Sequence, residues 1–263
     1  MITNEPLKRC FANCGVLTAH AAIKVLNACN WADALYKTPN FARDCSRMLQ
    51  TIPGGYGQYF PVGVEVAAVQ AAITEAVQHL NGVIQAAANA SGEPTPPELP
   101  PYVFHVTPGT LNKTQTELLN ACIEFVRVTV PAALYWLERL TDRGNYEREA
   151  RRAGEMFAGV REVIPLTPAD EMEAAAAMVP IREQVEAIRA ALNIPNYPEM
   201  SAKELNARLY ELGRVLDYLT EPVTTSEQAA AALSKYADLF GDLPGFFGWD
   251  NPNPNAWNIP GNL

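Results

Sequence analysis

Long apolar runs are missing from this chain. No segment approaches the roughly 18 consecutive apolar residues that a membrane-spanning helix needs. Residues 1–9 are polar and include Glu5 and Pro6, so they lack the basic and then apolar layout of a secretory signal. We therefore expect a cytoplasmic protein with no membrane partner.

Histidine is scarce, with three residues in the whole chain. Nucleophilic triads therefore have few available bases, and no serine lies in a Gly-x-Ser-x-Gly elbow. A di-iron carboxylate site in a helical bundle requires Glu-x-x-His motifs, whereas Glu75 and His79 are spaced i, i+4. We interpret these two residues as a surface pair, and we predict that the chain is not an enzyme and has no catalytic residues.

Recognisable metal and phosphate motifs are also lacking. Four potential zinc ligands lie near the start of the chain: Cys10, Cys14, His20 and Cys29. They lack the second close pair of a structural zinc site, and an odd total of five cysteines fits a reducing compartment, so we predict buried thiols. The glycine cluster at 53–57 matches no phosphate-binding or dinucleotide-binding fingerprint and is predicted to be a turn. We expect no metal and no cofactor.

Positive charge is in deficit, with 20 Lys and Arg against 29 Asp and Glu, a formal net charge of -9. The overall field therefore repels nucleic-acid phosphates, and we do not expect a nucleic-acid partner. Arg148, Arg151 and Arg152 form the most basic cluster, but acidic residues interrupt it, so we interpret the cluster as a solvated helix face.

Helical periodicity is abundant. Apolar residues recur at alternating spacings of three and four in segments 62–87, 119–140, 178–192 and 205–219, as in helices that pack side by side. Thr167, Pro168 and Asp170 read as a helix start, and Ser201 with Glu204 reads as a capping box. Shorter helices are predicted at 16–36, 41–49, 146–163 and 227–240. Pro131 is expected to kink the second long helix.

Strand signals are nearly absent, and 102–106 is the only plausible extended run. It lies within a proline-rich segment, 91–109, which we predict to be an extended linker and the main internal boundary. The linker separates an N-terminal helical region, 1–90, from a C-terminal helical bundle, 110–240. A final segment, 241–263, is rich in glycine, asparagine and proline. The predicted fold is an all-α multi-helix bundle with an extended, non-helical C-terminal arm.

The C-terminal arm, residues 241–263, holds large apolar side chains without a period that could build a core. Such side chains either pack on the chain's own helices or fill pockets on a neighbour, where Trp and Phe supply much of the binding energy. Prolines reduce the entropy lost on docking, which favours the second alternative. We predict six partner-binding residues: Phe246, Phe247, Trp249, Trp257, Ile259 and Leu263.

Three hypotheses follow. The first is a non-enzymatic structural or assembly subunit that docks onto neighbouring subunits through the C-terminal arm and its helical faces. It would form a homo-oligomer or part of a larger assembly, with a virion or phage particle as one setting. The second is an enzyme or small-molecule-binding bundle with a pocket near Pro131, lined by Cys122, Tyr135 and Trp136. The third is a regulatory adaptor whose acidic body binds a basic partner.

Overall fold

Six α-helices make up most of the computed structural model, which describes residues 2–35, 39–94, 98–99, 101, 103–104, 109–141, 166–195 and 202–219. The helices are α1 (Glu5–Leu35), α2 (Pro39–Leu49), α3 (Val66–Ser91), α4 (Lys113–Thr141), α5 (Pro168–Ala191) and α6 (Ala202–Leu219). These described ranges contain no strand beyond a single isolated bridge between Glu65 and Thr110. The predicted all-α bundle is therefore confirmed for this part of the chain.

The first helix is the most deeply buried element. Every residue from Cys10 to Cys29 is buried, and α1 packs mainly against α4 and α3. The predicted start at residue 16 was wrong, because the Asn4 side chain accepts a hydrogen bond from the Leu7 amide and caps a helix that begins at Glu5. Gly15 lets α1 approach α3 closely, since a Cβ there would lie 3.4 Å from Cβ of Ala87.

The predicted apolar repeats of α3, α4, α5 and α6 face the interior. α3 packs against α5, while α4 contacts α1, α2, α5 and α6. Buried positions that the periodicity identified include Val69, Ile73, Leu80, Val83, Leu119, Ile123, Val126, Val130, Leu137, Met178, Ile181, Val185, Ile188, Leu209, Leu212 and Leu216. Their side chains belong to one continuous hydrophobic core.

The predicted start of α3 at residue 62 was wrong, because the helix begins at Val66. Before that point the backbone pairs with the segment that precedes α4. Val66 donates to the Gly109 carbonyl at 2.8 Å, and Leu111 donates to the Val64 carbonyl at 2.9 Å. Val62 therefore lies in a loop, where its side chain is 63% exposed.

The start of α5 agrees with its sequence signals. Thr167 Oγ1 accepts from the Asp170 amide at 3.2 Å, and the Asp170 carboxylate accepts from the Thr167 amide at 2.8 Å. This reciprocal pair is a capping box with Pro168 in the first turn.

The proline-rich linker runs along α3 where it is described. Gly92 ends α3 with a left-handed φ of 76°. The Asn81 side chain bonds both the amide and the carbonyl of Leu99, and the Gln70 side chain accepts from the Phe104 amide at 2.8 Å. The described linker residues after Gly92 are non-helical, as predicted. The division of the chain into the regions 1–90 and 110–240 remains a prediction. Helices of both regions contribute to the same core.

Several predictions fall partly or wholly outside the described residues. The predicted strand at 102–106 has two described residues, 103 and 104, and neither lies in a strand. The predicted helices at 146–163 and 227–240, residue 201 of the second capping box, and the C-terminal arm lie outside the described ranges. None of the described helices is long and apolar enough to cross a membrane.

Several polar side chains lie within the buried part of α1, and their burial was not predicted. Lys24 and His20 are 4% and 5% exposed, and Asn13, Thr18 and Asn27 are also buried. Burial lowers the pKa of Lys24 to about 8, against a smaller opposing effect of the nearby Cys122 thiol. Burial, followed by the charge of Lys24, lowers the pKa of His20 to about 3. The predicted burial of the thiols is confirmed for Cys10, Cys14 and Cys29.

Replacing Lys24 with methionine should stabilise the fold at neutral pH. The native pKa of about 8 lies below the value of about 10.4 in an unfolded chain, so below pH 8 the buried ammonium destabilises the native state by about 3 kcal/mol. This penalty disappears as the pH rises from 8 towards 10.4. Urea unfolding at pH 7 and pH 10 should therefore show a large gain for Lys24→Met at pH 7 that shrinks at pH 10.

Lys8→Met is the matched control, because Lys8 lies on the same helix beside the exposed Glu5. Its effect should stay within about 1 kcal/mol. A Lys24→Met protein that is less stable than the parent at both pH values would contradict the assigned penalty.

Candidate functional site

A loop between α2 and α3 lies against α4 and forms one wall of a surface cleft. We call residues 50–62 the glycine loop. Gly54 and Gly55 have φ values of 72° and 67°, which favour glycine, and the Gly55 amide bonds the Ile52 carbonyl at 3.0 Å. A Cβ at Gly57 would lie 2.6 Å from the ring of Tyr59. The predicted turn at 53–57 is confirmed.

The carboxylate of Glu124 on α4 is the anchor of the glycine loop. Its side chain is 5% exposed, and Oε2 accepts hydrogen bonds from the Gly57 amide at 3.2 Å and from the Tyr59 hydroxyl. Burial, together with the bond to this carboxylate, raises the pKa of the Tyr59 phenol well above its usual range. Tyr59 therefore remains a neutral donor to Glu124 at physiological pH.

Two arginines compensate the charge of Glu124. Arg127, one turn along α4, places Nη1 3.3 Å from the carboxylate, and Arg208 of α6 places Nη2 3.7 Å from it. Arg208 also donates to the carbonyls of Pro53 and Gly55. The glycine loop is thereby held from two helices, by a carboxylate on one and a guanidinium on the other.

Asn120 secures the second half of the glycine loop. Its amide oxygen accepts from the Phe60 amide at 2.9 Å, and its amide nitrogen donates to the Phe60 carbonyl at 2.9 Å. The side chain thus satisfies both backbone groups of a buried residue, as a neighbouring strand would. Asn120, Glu124 and Arg127 form a polar stripe on α4 at spacings of four and three.

The cleft lies between the glycine loop and the first turns of α4 and has a volume of about 450 Å³. Its floor is apolar, with the buried side chains of Leu49, Ile52 and Phe60. Its rim is polar and exposed, with Gln50, Gln58 and Lys113 among its members. The remaining lining residues are Gly55, Tyr56, Val62, Thr116, Glu117 and Asn120.

Tyr56 and Glu117 give the cleft its hydrogen-bonding groups. Burial, and then the charge of Glu117, raises the pKa of Tyr56 to about 12, so its phenol stays protonated and can donate. Glu117 accepts from the Ser46 hydroxyl at 3.2 Å, and Lys113 lies 3.8 Å from it. The cleft therefore offers aromatic faces, donors and one carboxylate, a set suited to binding an extended chain.

A second groove, of about 530 Å³, lies between α3 and α5 and is lined mostly by small residues and amides. The side chain of Gln184 of α5 crosses this groove and packs on Gly82. A hydrogen bond of 2.8 Å joins its Oε1 to Nδ1 of His79. This groove has no aromatic side chain, so it is less suited to stacking on proline or tryptophan. His79, predicted to pair with Glu75, bonds to Gln184.

All six predicted partner-binding residues lie outside the described ranges: Phe246, Phe247, Trp249, Trp257, Ile259 and Leu263. Of the pocket expected near Pro131, Cys122 is buried, whereas the side chains of Tyr135 and Trp136 are not described. Through the described part of α4 the helix continues past Pro131 to Thr141.

Comparisons with known proteins identify no relative of this chain, so functional inference depends on the geometry of the structure. No family model matches the chain, and no curated protein or solved structure matches it. Among the described residues, no group of three or more His, Cys, Asp or Glu side chains lies close enough to hold a metal ion. Within the described residues, the cleft beside the glycine loop is the strongest candidate site, because it combines aromatic and hydrogen-bonding side chains.

Replacing Glu124 with glutamine should loosen the glycine loop. The change keeps the shape but leaves Arg127 and Arg208 without their common anion, so we expect a loss of about 3 kcal/mol in the free energy of unfolding. Amide hydrogen exchange in residues 50–62 should also accelerate, as mass spectrometry can measure.

Glu186→Gln provides the comparison, because Glu186 forms an exposed ion pair with Arg189 on α5. Its loss should cost less than about 1 kcal/mol. Equal effects of Glu124→Gln and Glu186→Gln, or unchanged exchange in the glycine loop, would show that Glu124 is not the anchor.

Proposed function

We propose that this chain is a structural or assembly subunit without catalytic activity, which docks onto neighbouring copies through its C-terminal arm and its helical faces. Its partners are copies of itself, or other subunits of a larger assembly. A cytoplasmic location, or a place within a virus particle such as a phage, belongs to the same proposal.

The anatomy of the cleft is the observation that supports this proposal. A buried apolar floor with an exposed polar rim is the arrangement found in the pockets that receive the anchor side chains of protein partners. The glycine loop is fixed by Glu124, Arg208 and Asn120, so little entropy is lost in shaping the cleft when a partner binds. Exposed Val62 extends the apolar surface to the rim.

The composition of the C-terminal arm supports the same proposal from the other side of the contact. Trp and Phe residues dominate the energy of small interfaces, and prolines keep a segment extended before it binds. The arm contains two tryptophans and two phenylalanines among several prolines and asparagines. Cleft and arm thus have the complementary properties of a receptor surface and a strap.

The absolute mass in solution tests the proposal. Light scattering after size exclusion should show an oligomer for the full chain and a monomer for a chain that ends at Phe240. Trp249→Ser combined with Trp257→Ser in the full chain should have the same effect, because it removes the largest anchors and keeps the length.

Val103→Ser is the control, because it replaces an apolar residue at a position that is 61% exposed. This variant should retain the mass of the full chain. A monomeric full chain at all concentrations, or an oligomer that persists without both tryptophans, would contradict a role for the arm in joining copies of the chain.

A further inference from the structure

The cleft has the side chains that recognise a proline-containing extended segment. Grooves for such segments combine aromatic faces, against which proline rings pack, with donors that bond the exposed carbonyls of the ligand. Here Tyr56 and Phe60 supply the aromatic rings, and Gln50 and Gln58 supply amide donors at the rim. The phenol of Tyr56 is a further donor.

One segment of the chain has the matching chemistry. Residues 249–260 read Trp-Asp-Asn-Pro-Asn-Pro-Asn-Ala-Trp-Asn-Ile-Pro. Proline fixes its own φ at about −65° and disfavours the helical region for the residue before it, so the sequence around Pro252 and Pro254 favours an extended segment. The apolar side chains of Trp257 and Ile259 suit the floor formed by Leu49 and Ile52.

The chain that follows α6 is long enough to reach beyond its own copy. Arg208 of this helix holds the carbonyls of Pro53 and Gly55, and the last described residue of the helix is Leu219. The 29 residues between 220 and 248, at about 3.3 Å each when extended, span at most on the order of 90 Å. Segment 249–260 can therefore reach the cleft of a neighbouring copy.

We propose that residues 249–260 of one copy bind in the cleft beside the glycine loop of a second copy. The inference rests on the proposed assembly function and names its docking surface. Reciprocal exchange fills two clefts with two arms and closes a dimer with twofold symmetry, which is the commonest symmetry of homo-oligomers. Each segment contributes its prolines to the aromatic side of the cleft and Trp257 to the apolar floor.

Sedimentation equilibrium on the full chain tests this placement. Val62→Asp puts a carboxylate at the apolar edge of the cleft, and Gln58→Arg replaces a rim amide with a bulkier cation. Both positions are exposed, so the fold should be retained, and circular dichroism checks this. Each change should raise the dissociation constant of self-association about tenfold or more.

The chain offers a matched control for each change. Val179→Asp alters a 50% exposed valine on α5, and Gln85→Arg alters an exposed glutamine in the groove between α3 and α5. Both controls should leave the dissociation constant within about threefold of the parent.

The outcomes separate the two proposals. Association that depends on the two tryptophans but is insensitive to Val62→Asp and Gln58→Arg overturns the docking site and leaves the assembly function standing. A stronger effect of Gln85→Arg than of Gln58→Arg also overturns the docking site, in favour of the groove between α3 and α5. A full chain that does not self-associate overturns the docking site and the association between copies, including the case of an arm bound to its own cleft.

Discussion

The buried carboxylate of Glu124 fixes the relation between three parts of the chain. Removing such an ion from water costs roughly several kcal/mol, so it is tolerated only where donors and cations surround it. The loop amide of Gly57, the hydroxyl of Tyr59 and the guanidinium groups of Arg127 and Arg208 supply these partners. The glycine loop, α4 and α6 are therefore mutually dependent, and the cleft takes its shape from their arrangement.

The packing of α1 removes its central part from contact with any partner. Its residues from Cys10 to Cys29 are buried among the other parts of the fold, and it shares one core with α3 and α4. Burial lowers the pKa of His20 to about 3, so at higher pH the imidazole is neutral in the folded chain, whereas the unfolded chain takes up a proton below about pH 6.5. The contribution of His20 to stability is therefore lost as the pH falls from about 6.5 towards 3.

The sequence patterns predicted those features of the fold that depend on residues close together in the chain. The apolar repeats located the buried faces of four helices, and the Thr167 cap located the start of α5, because periodicity and capping involve residues one or two turns apart. The polar stripe of α4 was not predicted, since its partners are distant in the sequence: the Tyr59 hydroxyl that donates to Glu124 lies 65 residues away. The start of α3 was misplaced for the same reason, as pairing with Gly109 holds the chain extended up to residue 66.

A photo-crosslinking measurement tests the central claim, that a cleft fixed by Glu124 receives the arm of a neighbouring copy. Lys113 at the exposed rim would be replaced by benzoylphenylalanine in ¹⁵N-labelled chains, which would be mixed with unlabelled parent chains and irradiated. The account predicts crosslinks from residue 113 of a labelled chain to peptides containing residues 249–260 of an unlabelled chain. Crosslinks confined to single chains, or directed to other segments of the neighbour, would contradict it.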